Sequence, residues 1–387
     1  MNAKTRMPAS QTITEESRTS QQEPTKEPQC KEDHVERHYV VGLDLSDRTA
    51  HYAVLGPAGE DWCAEKKIPL NRDSVCRHRR AYAGSLLVME VGAHSRWVQT
   101  VIEELGRKVF VAHAASIPGI TGSVNKHDRA DARQLARLGR ADCGLLRQSH
   151  HRSDSTQSDL LLIRSRAALV KSRSSLIVCA RGLLKSFGER VSGGSKCFAD
   201  TALESIPVHL RSPLEGLLEV IDSLTEQILA YDKQIEQAAK RYPAVQQMTT
   251  IPCVETLTAL SFVLTVEDPQ RLTRSRLAGC FYGLRPKRSQ SGERDPQLGI
   301  AKTGDGYLRT LLVQCAHHLL GWSGQDCALR RWGLALEARA GSGAKKRAII
   351  AVARKLAVLL HRLWTNGQTF VAFPNDQPHP VNNDEKL

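Results

Sequence analysis

From Tyr39 onward, short runs of continuous apolar residues alternate with longer runs whose apolar positions recur every three or four residues. HYVVGLDLS reads as a buried strand ending at an acid, Asp44. HYAVLGPAGE reads as a second strand closed by a Gly-Pro/Gly turn, and residues Trp62–Leu70 as a third. A helical stretch, Arg72–Ala83, precedes another buried strand, SLLVMEVG, whose C-terminal end carries Glu90. Trp97–Leu105 has the period of an amphipathic helix, KVFVAHA that of a strand, and KHDRADARQLARL again that of a helix. Three strands followed by helix–strand–helix–strand–helix predict an α/β layer with a mixed sheet.

Beyond residue 157 the pattern turns helical. Leu160–Phe187 reads as one long basic-apolar helix. Leu214, Leu217, Ile221, Leu224, Ile228, Tyr231 and Ile235 then follow the alternating 3–4 spacing of a coiled-coil seam. Ser192–Pro213, which holds Gly, Ser and Pro, separates the two runs, so an antiparallel hairpin and an intermolecular coiled coil both satisfy the spacing. Leu257–Val266, Leu272–Tyr282, Tyr307–Leu320 and Lys345–Trp364 predict further helices, and GLRPKRSQSGERDPQLGIAKTGDGYLR a long basic loop. The expected fold is therefore α/β plus all-α. Its parts are a disordered head at 1–37, a mixed-sheet domain at 38–150, a helical arm at 151–241, a mostly helical domain at 242–371 and a flexible tail at 372–387.

Charge sharpens this picture. The chain of 387 residues carries a net charge of +13. Between Arg271 and Arg362 eighteen Lys and Arg stand against five Asp and Glu, which equals the whole excess. A polyanionic partner, nucleic acid before membrane, is expected at the C-terminal third. The ten cysteines form no CxxC pair and read as reduced thiols. No apolar run has transmembrane length and none near Met1 resembles a signal peptide, so a cytoplasmic location with no membrane partner is expected.

The acids are the candidate chemistry. Asp128 and Asp131 stand at i and i+3, on one face of a helix start. Asp44 and Glu90 end strands whose C-terminal edges form a common rim if the strands are parallel neighbours. Each acid alone reads as ordinary: one before a turn, one at a strand end, two in the favourable first turn of a helix. Together, with Asp44 inside an apolar run, they point to a shared cation.

These motifs resemble the DEDD-type insertion-sequence transposases, the group that includes the Piv-type DNA invertases. The matching pieces are GLDLSDRTAHYAVL, VMEVGAHSRWV and NKHDRADARQLARL, then IPCVETLTA, LAGCFYGLRPKRSQSG, GIAKTGDGYLRTLL and KKRAIIAVARKLAVLLHRL. They cover roughly residues 39–371, and their order and joint presence carry the resemblance. It implies a ribonuclease H-like, RuvC-like catalytic domain, a coiled-coil arm and a C-terminal transposase domain. By motif, Asp44, Glu90, Asp128 and Asp131 match the four acids that would hold Mg²⁺, with Mn²⁺ as the alternative ion. Ser291, the serine before glycine in RSQSG, matches the proposed nucleophile. The implied partners are the element's DNA ends, a target DNA, in several members a structured guide RNA, and further copies of the chain in a dimer or tetramer. One departure stands out: the usually glycine-rich turn reads Ile251-Pro252-Cys253-Val254-Glu255.

A serine hydroxyl is a weak nucleophile unless activated, and a loop serine beside glycine is commonplace. Around Ser291, however, Arg285, Lys287, Arg288, Arg294 and Lys302 supply cations that could stabilise a phosphorane-like transition state. With Arg309, Lys345, Lys346 and Arg347, the residues Arg285, Lys287, Arg288 and Lys302 are the candidate nucleic-acid contacts. The reading is Mg-dependent DNA strand cleavage and rejoining by a transposase or recombinase. Its rivals are a Holliday-junction-type endonuclease using the acids and water, a decayed nucleic-acid-binding protein, and a sugar-kinase-like ATPase. The last lacks a later glycine-rich phosphate loop.

Overall fold

The computed structural model describes residues 39–374 apart from 60, 81, 83, 114–126, 297, 340 and 342. The head at 1–37 and most of the tail at 372–387 lie outside the described residues. The chain divides into two compact units at His151/Arg152.

The first unit is built on five strands: β1 (Val40–Leu45), β2 (Thr49–Leu55), β3 (Trp62–Pro69), β4 (Leu86–Glu90) and β5 (Val109–Ala112). Their order in the sheet is β3-β2-β1-β4-β5. β1 pairs antiparallel with β2 and parallel with β4, and β4 parallel with β5. The mixed sheet expected from the apolar runs is present. α1 (Arg72–Arg80) and α2 (Ser95–Glu104) connect the strands, and α3 (Asp128–Ala141) follows them.

Strand alternation assigns each residue to a face. Val41, Leu43, Tyr52, Val54, Leu87 and Met89 share a core with Val75 of α1 and Val98, Val101 and Ile102 of α2. The opposite face carries Val40 and Val88, which pack with Leu135 of α3. Here α3 lies directly on backbone. A Cβ on Gly42 would stand 1.9 Å from the Ala132 carbonyl oxygen and 2.6 Å from the Ala136 nitrogen. One on Gly139 would meet Val88 Cγ2 at 2.4 Å. Gly42 lets strand and helix backbones touch, and Gly139 leaves room beneath the helix for the Val88 and Val40 side chains.

The second unit is helical. α4 (Asp154–Lys185) and α6 (Val208–Ala239), of 32 residues each, run antiparallel, with α5 (Phe198–Ser205) between them in sequence. Arg166 pairs with Asp232, Arg173 donates to Thr225 Oγ1 at 3.1 Å, and Asp159 accepts from Arg241 and from the Tyr242 hydroxyl. The contact face of α6 differs in detail from the expected seam. Leu214, Ile221, Ile228 and Ile235 are buried, but so are Leu218 and Thr225, whereas Leu217, Leu224 and Tyr231 are only half-buried. Thr225 is buried because its hydroxyl receives the Arg173 guanidinium, a polar contact that the apolar spacing does not reveal.

The remaining helices are α7 (Pro243–Met248), α8 (Thr256–Val266), α9 (Leu277–Phe281), α10 (Gly306–Leu320), α11 (Ala328–Arg339) and α12 (Ala344–Asn366). They share one core with the roots of α4 and α6, centred on Phe262, Tyr282, Leu312, Val352 and Leu356. Only Leu277–Phe281 of the stretch expected to be helical over 272–282 forms an α-helix; residues 272–276 bend and turn after a 3₁₀ turn at Pro269–Arg271. Among the described residues no helix is long and apolar enough to cross a membrane, and the nine described cysteines are all unpaired.

Candidate functional site

α3 runs antiparallel to β1. Gly139 lies near Val40, and Ala132 and Ala136 lie over Gly42. Two strand residues advance about 6.6 Å and four helical residues about 6 Å. The next step along β1 therefore sets Asp44 opposite the first turn of α3, which holds Asp128 and Asp131. A side-chain contact marks the same place: Ser46 Oγ, just past β1, donates to Asp128 Oδ2 at 3.2 Å.

Glu90 joins them through sheet register. Leu43 pairs with Met89 in the parallel β1–β4 ladder, so Asp44 and Glu90 occupy the next step on adjacent strands, about 4.8 Å apart in backbone. Gly42 and Asp44 share one face, and Val88 and Glu90 share the same face. The fold thus gathers all four sequence-predicted acids on the α3 side of one rim. Asp131 is buried and the other three half-buried. Both Asp44 and Glu90 have interaction partners in the structure.

One residue of this rim went unread in the sequence. His51 is the cross-strand partner of Asp44 in the β1–β2 ladder and points to the same face. Its Nδ1 lies 3.4 Å from Asp128 Oδ2, yet the atom is buried without a hydrogen-bond partner. The donors are carboxylate oxygens with one imidazole nitrogen beside them, a set suited to a hard divalent cation. Like charges on facing strand positions also call for a counter-charge. Among the described residues, no three such side chains close on a common point.

The pitch of α3 is held by a second cluster. Glu65 on β3 accepts from Arg133 Nη2 at 2.9 Å and Arg129 Nε at 2.7 Å, and also pairs with Arg133 Nε. The two arginines sit four residues apart and bracket Asp131. Their guanidinium groups hold the Glu65 carboxyl below its ordinary pKa, Arg133 contributing most. Trp62 adds cation–π contacts to Arg133 and Arg137 at 5.2 and 5.5 Å. At the helix N-terminus His127 caps the backbone, accepting from the Ala130 N–H at 3.1 Å.

Ser291 belongs to the second unit. The basic loop folds into a narrow ribbon, with bridges Pro286–Ile300 and Ser291–Arg294. Ser291 and Arg294 exchange backbone hydrogen bonds of 3.1 Å around Gly292, whose φ is +56°. The exposed serine therefore stands at a tight tip. Arg285, Lys287, Arg288 and Lys302 are exposed along the ribbon, and Arg288 donates to Gln290 and Asp295. Arg309 is engaged at the base, its Nη1 donating to the Tyr282 and Thr303 carbonyls at 3.0 and 2.8 Å. Lys345, Lys346 and Arg347 occupy the first turn of α12, which has no acid there. Three cations at the positive end of a helix dipole are electrostatically unfavourable in isolation and suit an incoming phosphate.

The glycine-poor turn has a visible consequence. Cys253 takes φ +69°, a left-handed conformation that glycine adopts without strain. Glu255 is the N-cap residue of α8, where its charge meets the positive end of the helix dipole.

Comparison with known proteins places both units. Residues 41–188 match a family described as Transposase, of the DEDD type of IS110, and residues 245–329 one described as Transposase IS116/IS110/IS902 family. The transposase for insertion sequence element IS1111A of Coxiella burnetii is 33% identical over 258 residues, covering 64% of this chain and 68% of that protein. The transposase for insertion sequence element IS1328 of Yersinia enterocolitica is 25% identical over 340 residues, 86% of this chain and 98% of that one. A probable family 20 transposase of Pseudomonas aeruginosa is 25% identical over 285 residues, 71% and 82% of the two chains.

Proposed function

The chain belongs to the IS116/IS110/IS902 family of transposases, a class of DNA-transposing, DNA-binding enzymes, and on that premise we propose that Asp44, Glu90, Asp128 and Asp131 form its metal-dependent catalytic rim. The observation that carries this is the convergence of all four acids on the α3 face at the ends of β1 and β4. The sheet order supports a ribonuclease H-like, RuvC-like reading of the first unit. These carboxylates would hold Mg²⁺ or Mn²⁺, which supplies Lewis-acid stabilisation of charge on the phosphoryl oxygens. The four carboxyl groups position that charge, Ser46 and His51 orient Asp128, and Glu65 fixes the turn that bears Asp128 and Asp131.

Ser291 is the nucleophile in this reading. Its Oγ attacks a DNA phosphorus, an O–P bond to the deoxyribose breaks, and the departing oxygen takes up the proton. The serine–phosphate ester keeps the phosphodiester bond energy, so attack by a second strand's hydroxyl restores a DNA backbone and releases serine without ATP. Arg285, Lys287, Arg288 and Lys302 line the DNA beside Ser291, and Lys345, Lys346 and Arg347 take phosphates elsewhere. The α4–α6 arm, residues 151–241, joins copies of the chain into a dimer or tetramer. A structured RNA from the same element is a further partner.

The test is product analysis with element-end DNA, transcribed flanking RNA and Mg²⁺. Ser291→Ala should lose covalent adduct and joined strands, and Asp44→Asn should lose both together with the rise in melting temperature on adding Mg²⁺. Normal joining by Ser291→Ala would exclude the serine role. Cleavage without joining by that variant, still lost in Asp44→Asn, would select the endonuclease that uses water.

A further inference from the structure

Trp322 is 97% exposed, although indole is among the least favourable groups to leave in water. It is not on a slack loop. Gly321, Trp322, Ser323 and Gly324 form a β-turn after α10, closed by the Gly324 N–H donating to the Gly321 carbonyl at 3.2 Å. The Gly321 N–H in turn caps α10 through the His318 carbonyl at 3.1 Å. Arg330 of α11 pins the turn from below, its Nη1 donating to the Leu319 carbonyl and, at 2.6 Å, to the Gly321 carbonyl. A Cβ on Gly324 would strike Leu319 O at 2.1 Å, so the turn sits flush against the helix end. The fold thus presents an indole at the apex of a braced turn.

The surroundings indicate what it meets. His317 and His318 are exposed on the preceding helical turn, and Arg331 is exposed on α11, where it pairs with Asp326 and lies over the Phe373 ring. From Arg309 to Arg347 seven Lys and Arg stand against two Asp and Glu. A braced aromatic plane on a chain segment with a cationic surplus matches a nucleobase on its phosphate backbone: the ring stacks and cations of the segment take the phosphates.

We propose that Trp322 is a stacking platform for an unpaired nucleobase. Inside a duplex, away from its ends, both faces of each base are covered by neighbours, so an indole can stack there only on a base that has left the helix. DNA strand exchange exposes such bases when the two strands separate. Trp322 holds one of them while cations of the same segment hold the backbone. This rests on the DNA binding of the family and is independent of the roles assigned to Ser291 and the four acids.

The test measures affinity of the full chain for a labelled mixed-sequence 20-nucleotide single strand and for the blunt duplex of the same sequence, at one salt concentration. Trp322→Ala should weaken single-strand binding roughly 5- to 150-fold, the range of one base–aromatic stack, and leave duplex binding within about twofold. Trp322→Phe should keep most of the single-strand affinity, and Trp322→Leu, apolar but without a π-face, should lose it. Equal losses on both substrates, no loss on either, or full affinity in Trp322→Leu would overturn the proposal. So would altered sedimentation of Trp322→Ala with unchanged single-strand affinity, which would make the residue a contact between protein chains. If Trp322→Ala melts early, the Phe and Leu variants decide the question.

Discussion

Replacing Gly42 with Ala is the most direct probe of the acid rim. The added methyl would sit 1.9 Å from the Ala132 carbonyl oxygen and 2.6 Å from the Ala136 nitrogen. Both are backbone atoms inside α3, so no rotamer change relieves the clash. A close carbon–oxygen contact needs about 3.3 Å, and α3 must therefore rise from β1 by about 1.4 Å. Inserting one methyl into such a contact typically costs ~1–3 kcal/mol, and two backbone clashes put Gly42→Ala at the upper end. The functional cost should be larger. The helix that must lift carries Asp128 and Asp131, while Asp44 and Glu90 stay with the sheet, and a displacement of about 1 Å at a reacting centre can cost ~10²-fold in rate. Thermal unfolding followed by strand-joining kinetics below the transition separates the two effects. Gly139→Ala is the control. Its methyl meets Val88 Cγ2 at 2.4 Å, eight residues further along α3 from Asp131, so it should lose comparable stability and much less activity. Wild-type joining by a folded Gly42→Ala protein would refute the view that this backbone contact sets the spacing of the acids.

Two further outcomes are expected. Glu65→Gln should destabilise the first unit by about 1–2 kcal/mol, exposure of Arg129 limiting the value. Because the folded pKa of Glu65 lies below its unfolded one, its contribution is complete above the ordinary glutamate range and disappears as pH falls through the folded pKa. Melting curves of the two proteins should therefore differ most near neutrality and converge in acid, and a gap that widened in acid would contradict the assignment. At Cys253, with φ +69°, Gly and Ala both remove the thiol, but only Ala keeps a Cβ in the left-handed region. Cys253→Gly should exceed Cys253→Ala by about 1 kcal/mol in denaturant melts, and the reverse order would exclude strain at this turn.

The strands and the acids were legible because both signals are local. VVGLDL and LLVME are buried runs, and Asp44 and Glu90 end them. Convergence followed once β1 and β4 paired in parallel. What escaped depends on contacts distant in sequence. His51 enters the rim only through its register with Asp44, and Glu65 meets Arg129 and Arg133 across 64 and 68 residues. α11 escaped although Leu329, Trp332 and Leu336 recur at helical spacing and pack on the core, because its three arginines and the small residues Gly333 and Ala335 break up its apolar character. On α6 the expected seam counted Leu217 and Leu224, but their successors Leu218 and Thr225 are the buried ones, Thr225 against the Arg173 guanidinium. The loop around Ser291 was recognised by its Gly, Pro and Ser content. Its ribbon form depends on backbone pairing that composition does not encode.

The paired helices α4 and α6 also define a mechanical element. At 32 residues each, they span about 48 Å. At the root, Arg152 grips the Leu264 and Thr265 carbonyls, Glu267 accepts from the Ser153 N–H, and Asp159 holds Arg241 and Tyr242. The far end closes around Phe198 and Ile206 in a small core of its own. Such a pair behaves as a stiff beam clamped at one end. A root rotation of about 5° carries the free end through about 4 Å, and a load on the free end returns to the root as torque. The Arg166–Asp232 ion pair, further along the arm than these root contacts, ties the two helices together so that they would carry that torque jointly.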